Sequence, residues 1–127
     1  MPFRVDVEVV EGVAIITPRG RISLGEGDQR MQRAVLETLE RGCSRIVLML
    51  GDVMYVDSSG LGSLFSAFTW AKNRGGDLVF AGLTKRIKDL LMITKLYTVV
   101  ETYETMEQAL AHFGVSPPKS KAADGQP

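Results

Sequence analysis

The stretch Tyr55-Val56-Asp57-Ser58-Ser59-Gly60-Leu61-Gly62 limits the folds open to this chain more than any other. It follows Arg45-Ile46-Val47-Leu48-Met49-Leu50, an apolar run of strand length with no polar alternation. Such a run suits a central parallel strand covered on both faces. After the stretch, Leu61, Leu64, Phe65, Phe68 and Ala71 repeat at helical spacing. Two hydroxyls and a carboxylate therefore stand where a buried strand gives way to an amphipathic helix. In an α/β sheet that place is the carboxyl edge, where function usually lies.

The flanking segments extend this α/β pattern. Phe3, Val5, Val7 and Val9 alternate with Arg4, Asp6 and Glu8, the period of a half-buried strand. Glu11-Gly12 is a two-residue turn leading to an antiparallel strand from Val13 to Thr17, which Pro18 and Gly20 are expected to close. Residues 21–27 read as a loop or short extended piece, with Gly25 and Gly27 as breakers. Asp28 is a candidate N-cap for a helix with Met31, Ala34, Val35, Thr38 and Leu39 on one face and Gly42 at its end. The second helix runs from about Ser59 to Asn73 and stops at Gly75-Gly76. Asp77 to Ala81 is the next strand. Thr84 caps a third helix with Ile87, Leu90 and Leu91 on one face, and Leu96 to Val100 reads as an edge strand. Thr105-Met106-Glu107-Gln108 fits a capping box, followed by Ala109, Leu110 and Phe113 on one face and a stop at Gly114.

The expected order is β-β-α-β-α-β-α-β-α. This is one α/β domain over residues 1–115, with a mixed sheet made of an antiparallel hairpin and a parallel core packed by helices. Residues 116–127 hold nothing that could bury surface and are expected to form a flexible tail.

Charge and inventory narrow the function. Fifteen basic and fifteen acidic residues cancel, so no net field draws nucleic acid or an anionic membrane. Lys85, Arg86 and Lys88 read as a solvated helix face. Cys43, the single cysteine, excludes an internal disulfide and reads as a small buried filler. His112, the single histidine, lies off the last apolar stripe and reads as a solvated surface residue. The amino terminus lacks the apolar core of a signal peptide, and no apolar run approaches a membrane span, so the cytoplasm is expected. Gly60 and Gly62 are followed by Ser63-Leu64-Phe65, with neither the lysine of a phosphate loop nor the third glycine of a dinucleotide fingerprint. Neither Ser58 nor Ser59 has the flanking glycines of a hydrolase elbow. No metal-ligand set is recognisable. A binding module without a cofactor is expected, not an enzyme.

Taken alone, the Asp-Ser-Ser-Gly turn has two readings. Short side-chain oxygens cap the orphan N–H groups of a helix start, and glycines allow close backbone packing. The same helix start is also receptive to negative charge. A phosphate on Ser58 adds about −1.5 to −2 charges at pH 7, set beside Asp57, and a partner docking flat on the turn then meets a bulky dianion. Opposite Leu61 on the helix lie Ser63, Ser66, Ala67 and Trp70, small residues leading to the single tryptophan. Trp70 reads either as a partner anchor or as packing under a neighbouring element.

Asp57-Ser58-Ser59-Gly60-Leu61-Gly62, after its buried strand, resembles the signature of the STAS domain. More narrowly it resembles the bacterial anti-sigma factor antagonists of the SpoIIAA type. The likeness also takes in the opening hairpin, Gly75-Gly76-Asp77-Leu78, Ile87-Lys88-Asp89-Leu90-Leu91, Leu96 and Glu107-Gln108-Ala109-Leu110. The resemblance implies a partner-switching protein. In that family the unphosphorylated antagonist binds an anti-sigma factor that is also a serine/threonine kinase, and so frees a sigma factor. The kinase phosphorylates the serine after the Asp, and a protein phosphatase reverses this. Carried to this chain, the acceptor is Ser58, Asp57 and Ser59 shape the site, and Gly60 and Gly62 set its backbone. ATP belongs to the partner. After the second strand the family commonly has Gly, an acidic residue, an apolar residue and Asp. Here Gly20-Arg21-Ile22-Ser23 puts Arg21 and Ser23 on the expected partner surface in place of two carboxylates. The same fold serves accessory subunits of lipid-transport ATPases and stress-signalling assemblies, which is the alternative reading.

Overall fold

The computed structural model describes residues 2–116. Strands β1 (Arg4–Val10) and β2 (Val13–Ile22) form the expected antiparallel hairpin. Its turn is tight because Glu11 and Gly12 both take positive φ, 48° and 81°, the geometry whose twist matches that of the paired strands.

β2 does not close at Pro18 and Gly20 as expected, but continues to Ile22. Ala14 to Ile16 pair with β3 (Arg45–Met49), and Gly20 to Ile22 pair with β4 (Val53–Val56), both in parallel. Pro18 lies between these two ladders, so its missing N–H interrupts neither. β4 has no counterpart in the expected order. Gly51 and Asp52 break the chain after Leu50, and four residues carry too little periodicity to announce a strand. The serine turn therefore hangs from β4 rather than directly from the central strand.

Helix α2 (Ser58–Asn73) follows β4, and β3 pairs with β5 (Asp77–Ala81). β5 in turn pairs with β6 (Thr102–Tyr103). The edge strand is thus Thr102–Tyr103, not Leu96 to Val100. Lys95 takes a left-handed φ of 62° after α3 (Lys85–Thr94), and Leu96–Thr98 coils into a 3-10 turn. The path across the sheet is β1-β2-β3-β5-β6, with β4 beside β2. Only the opening hairpin is antiparallel, so the sheet is mixed.

Ile46 and Leu48 of β3 point to one face, into a core with Ile16, Val35 of α1 (Glu26–Glu40), Leu64 of α2 and Ile87 of α3. Val47 points to the other face, where Val13 and Val79 pack with Ala109 and Leu110 of α4 (Met106–His112). This two-sided cover is the reason the run of residues 46–50 does not alternate. Thr84 caps α3 by accepting from the Ile87 amide at 3.2 Å, and the Thr105–Gln108 capping box starts α4.

Two expectations on single residues are corrected. His112 is not a solvated surface residue: its side chain is 19% exposed. Its Nε2 lies 2.9 Å from Asp77 Oδ2 and its Nδ1 2.8 Å from the Tyr103 hydroxyl, which ties α4 to β5 and β6. Cys43 is half-buried, with its thiol 3.3 Å from the Gly12 carbonyl. Lys85, Arg86 and Lys88 are exposed as expected. No helix among the described residues is long and apolar enough to cross a membrane. The tail expected over 116–127 lies, beyond Ser116, outside the described residues.

Candidate functional site

The turn between β4 and α2 is built around two carboxylates. Asp57 caps α2, with Oδ1 accepting from the Gly60 amide at 2.8 Å. Its Oδ2 accepts from the Leu24 amide at 3.0 Å, so one side chain pins both the helix start and the β2–α1 loop. Those two backbone N–H groups hold the Asp57 carboxyl below its ordinary value. Gly60 is buried against β2. A Cβ there would lie 1.9 Å from the Ile22 carbonyl oxygen, which no side chain tolerates. Gly62 is exposed, and a Cβ there would meet nothing within 4 Å. Of the two glycines, only Gly60 is demanded by packing.

The second carboxylate is Asp28, 7% exposed. It is not the N-cap expected from the sequence: α1 begins two residues earlier, behind Gly25, which makes no side-chain cap. Asp28 instead points at α2. Ser59 donates to its Oδ2 at 2.6 Å. Ser63 donates to its Oδ1, and Gln32 Nε2 donates to the same oxygen at 2.7 Å. Gln32 also lies 2.6 Å from Ser63 Oγ. Burial by itself raises the Asp28 pKa, but the three side-chain hydrogen bonds outweigh it and hold the carboxyl below its ordinary value.

Both shifts are depressions, so the stability they supply is present above the ordinary carboxylate value of 3.8. It is lost as pH falls through the folded-state values. The urea midpoint of the wild type is therefore expected to drop in acid below about pH 4, and the Asp28→Asn/Asp57→Asn double variant to show a flatter acid limb. Equal slopes would mean that neither carboxylate is held as described.

The two serines of the turn differ sharply. Ser59 is half-buried and committed to Asp28. Ser58 is exposed, and its hydroxyl has no hydrogen-bond partner among the described residues. The face of α2 opposite Leu61 is not open as expected, because α1 packs on it. Ser63 and Ala67 are buried, so Ser63 leaves the set of docking residues. Ser66 is half-buried, and Trp70 is half-buried against the larger core cluster. Arg21 is exposed, with its guanidinium 4.4 Å from the centroid of the Tyr55 ring. Ser23 is half-buried and its carbonyl accepts from the Asp28 amide at 3.1 Å. The site as assembled thus gathers Asp57, Ser58, Ser59 and Gly60 with Arg21 at the end of β2 and the loop residues Ser23 and Leu24.

Asp28, Gln32, Leu24 and Tyr55 are missing from the expected site. Asp28 had a readable signal: it precedes Met31 and Val35 by three and seven residues and so continues the core stripe of α1. A carboxylate on a core-facing stripe requires donors from whatever packs there. Among the described residues, no group of three or more His, Cys, Asp or Glu could hold a metal ion.

Known proteins share this fold. A sequence profile of the STAS domain matches residues 4–109. The anti-sigma-B factor antagonist of Bacillus subtilis is 30% identical over 101 residues, covering 80% of this chain and 91% of that protein. The crystal structure of a candidate anti-sigma factor antagonist from Thermotoga maritima superposes with a TM-score of 0.81 at 23% identity, over 87% of this chain and 95% of that one. The Bacillus cell fate determinant SpoIIAA in its phosphorylated form shares the fold at 14% identity and a TM-score of 0.67, over 88% of this chain and 99% of that one.

Proposed function

Because the chain belongs to the STAS domain family, we propose that it is an anti-sigma factor antagonist switched at Ser58. The observation that carries this reading is the contrast between the paired hydroxyls. Ser59 is consumed by Asp28, and Ser58 stands free at the exposed start of α2. In this reading the unphosphorylated protein binds an anti-sigma factor serine/threonine kinase, which carries the ATP, and so releases a sigma factor. Phosphorylation of Ser58 ends the contact and a phosphatase restores it. The chain contributes a surface and no catalytic group.

The physics of the switch is local. Asp57 already places a carboxylate at this helix start, where it engages the Gly60 N–H and reaches across to the Leu24 N–H. A phosphate on Ser58 therefore adds its roughly −1.5 to −2 charges to an existing carboxylate and changes the surface without a new fold. A partner interface formed over a neutral hydroxyl would then enclose an unpaired dianion, which costs several kcal/mol.

The test uses the purified chain, the partner kinase and ATP. Phosphate is expected on Ser58, to persist in Ser59→Ala and to vanish in Ser58→Ala. Ser58→Asp is expected to weaken kinase binding by about 100-fold, the scale of one unpaired charge in an interface. Phosphate on another residue, or unchanged binding by Ser58→Asp, would overturn the reading.

A further inference from the structure

Beside the Ser58 turn, between β4 and α3, lies a cleft of about 500 Å³. Val56, two residues before Ser58, forms part of its wall, so cleft and turn are one continuous surface. Tyr55, Leu90 and Ile93 make it apolar, and Ile93 is 79% exposed. Leu24, tied to Asp57 on the turn itself, is 80% exposed.

The charges around this cleft are placed at a cost. Lys85 and Arg86 open α3, whose first turn holds no acidic residue. A helix amino terminus is the positive end of the helix dipole, where cations are disfavoured. Asp89 answers Lys85 at 3.0 Å. Arg86 has no ion pair among the described residues, and neither has Arg21, which lies exposed against the Tyr55 ring. The charges lining the hollow are Lys85, Arg86 and Asp89, with Arg21 set over its Tyr55 wall, in a chain whose net charge is zero. Local charge placement that works against the helix is expected where another molecule completes the surface.

We propose that the β4–α3 cleft receives a segment of the partner protein in which an apolar side chain is flanked by carboxylates. The apolar side chain fills the hollow over Tyr55, Leu90 and Ile93, and the carboxylates meet Arg86 and Arg21. A bare phosphate would leave the hollow empty. Nucleic acid and anionic bilayers gain nothing from the chain's zero net charge at long range. The inference rests on the partner-switching reading and adds to it the place and chemistry of a second contact.

The experiment measures binding of the full chain to the serine kinase that phosphorylates Ser58. It compares the wild type, Ile93→Ser and Arg21→Glu/Arg86→Glu, with melting curves as the check on folding. All three substituted side chains are exposed, so the fold is expected to persist. The double charge reversal is expected to weaken binding by about 100-fold, and Ile93→Ser by about 10-fold. Raising salt from about 50 to about 500 mM should weaken the wild type more than the double variant.

If the kinase phosphorylates Ser58 and binds the cleft variants like the wild type, the cleft contact is wrong and the Ser58 reading stands. Tighter binding by the double variant would mean that the partner presents cations there, which also overturns the proposal. Anionic vesicles or DNA retained by the wild type and lost by the double variant, with kinase binding unchanged, would assign the cleft to such a surface instead. If no such kinase binds or phosphorylates the wild type, both readings fall together.

Discussion

Gly60→Ala is expected to cost the fold about 3 kcal/mol or more, at or beyond the upper end of overpacking penalties, while Gly62→Ala two residues on does not destabilise it. At position 60 the new methyl would sit 1.9 Å from the Ile22 carbonyl oxygen and 2.9 Å from the Ile22 Cγ2. Neither atom can yield freely. The carbonyl belongs to the stretch of β2 that pairs with β4, and Ile22 is fully buried. Relief requires α2 to lift from the sheet, which would strain the Asp57–Leu24 and Ser59–Asp28 contacts together. Gly62 meets nothing, and alanine there gains helix propensity of about 0.5–1 kcal/mol. Urea denaturation of both variants tests the pair. Similar midpoints would show that the approach of α2 to Ile22 is not what holds the turn.

The second large effect is Asp28→Ala, with an expected loss of about 3 kcal/mol. This substitution removes the common acceptor of Ser59, Ser63 and Gln32 and leaves donors in a closed space, where each unsatisfied group costs about 1–3 kcal/mol. Ser63 and Gln32 retain each other at 2.6 Å, so the penalties do not simply add. Asp28→Asn keeps an acceptor and is expected to cost less, about 1 kcal/mol. A functional consequence separates this role from mere packing. Freed from Asp28, Ser59 becomes a second hydroxyl at the helix start, so phosphate is expected to spread from Ser58 to Ser59 in Asp28→Ala. Strict retention of phosphate at Ser58 in a folded Asp28→Ala would show that the kinase chooses the serine without help from Asp28.

Local chemistry made much of this legible. Arg45 to Leu50 read as a central strand because both its faces are covered. Thr84 and Thr105 read as caps because their oxygens satisfy N–H groups three residues on. Misreadings fell where distant partners outweigh local signals. Pro18 looks like a strand end, yet β2 passes through it because its two parallel ladders lie on either side. Leu96 to Val100 has the residue types of a strand, but the left-handed Lys95 coils it and leaves the edge to Thr102–Tyr103. His112 lacks a place on the apolar stripe but finds Asp77 and Tyr103, which are distant in sequence.

At the serine turn the same division holds. Sequence alone determined that a carboxylate, two hydroxyls and two glycines meet at the start of an amphipathic helix, because capping and helical period act within a few residues. Local chemistry by itself could not rank Ser58 against Ser59, which only the family resemblance separated, and it could not rank Gly60 against Gly62. Tertiary structure shows how the members of each pair differ. Asp28, some thirty residues earlier in the chain, reaches one serine and not the other, and Ile22 lies over one glycine and not the other. The turn's free hydroxyl is defined by what packs on its neighbour.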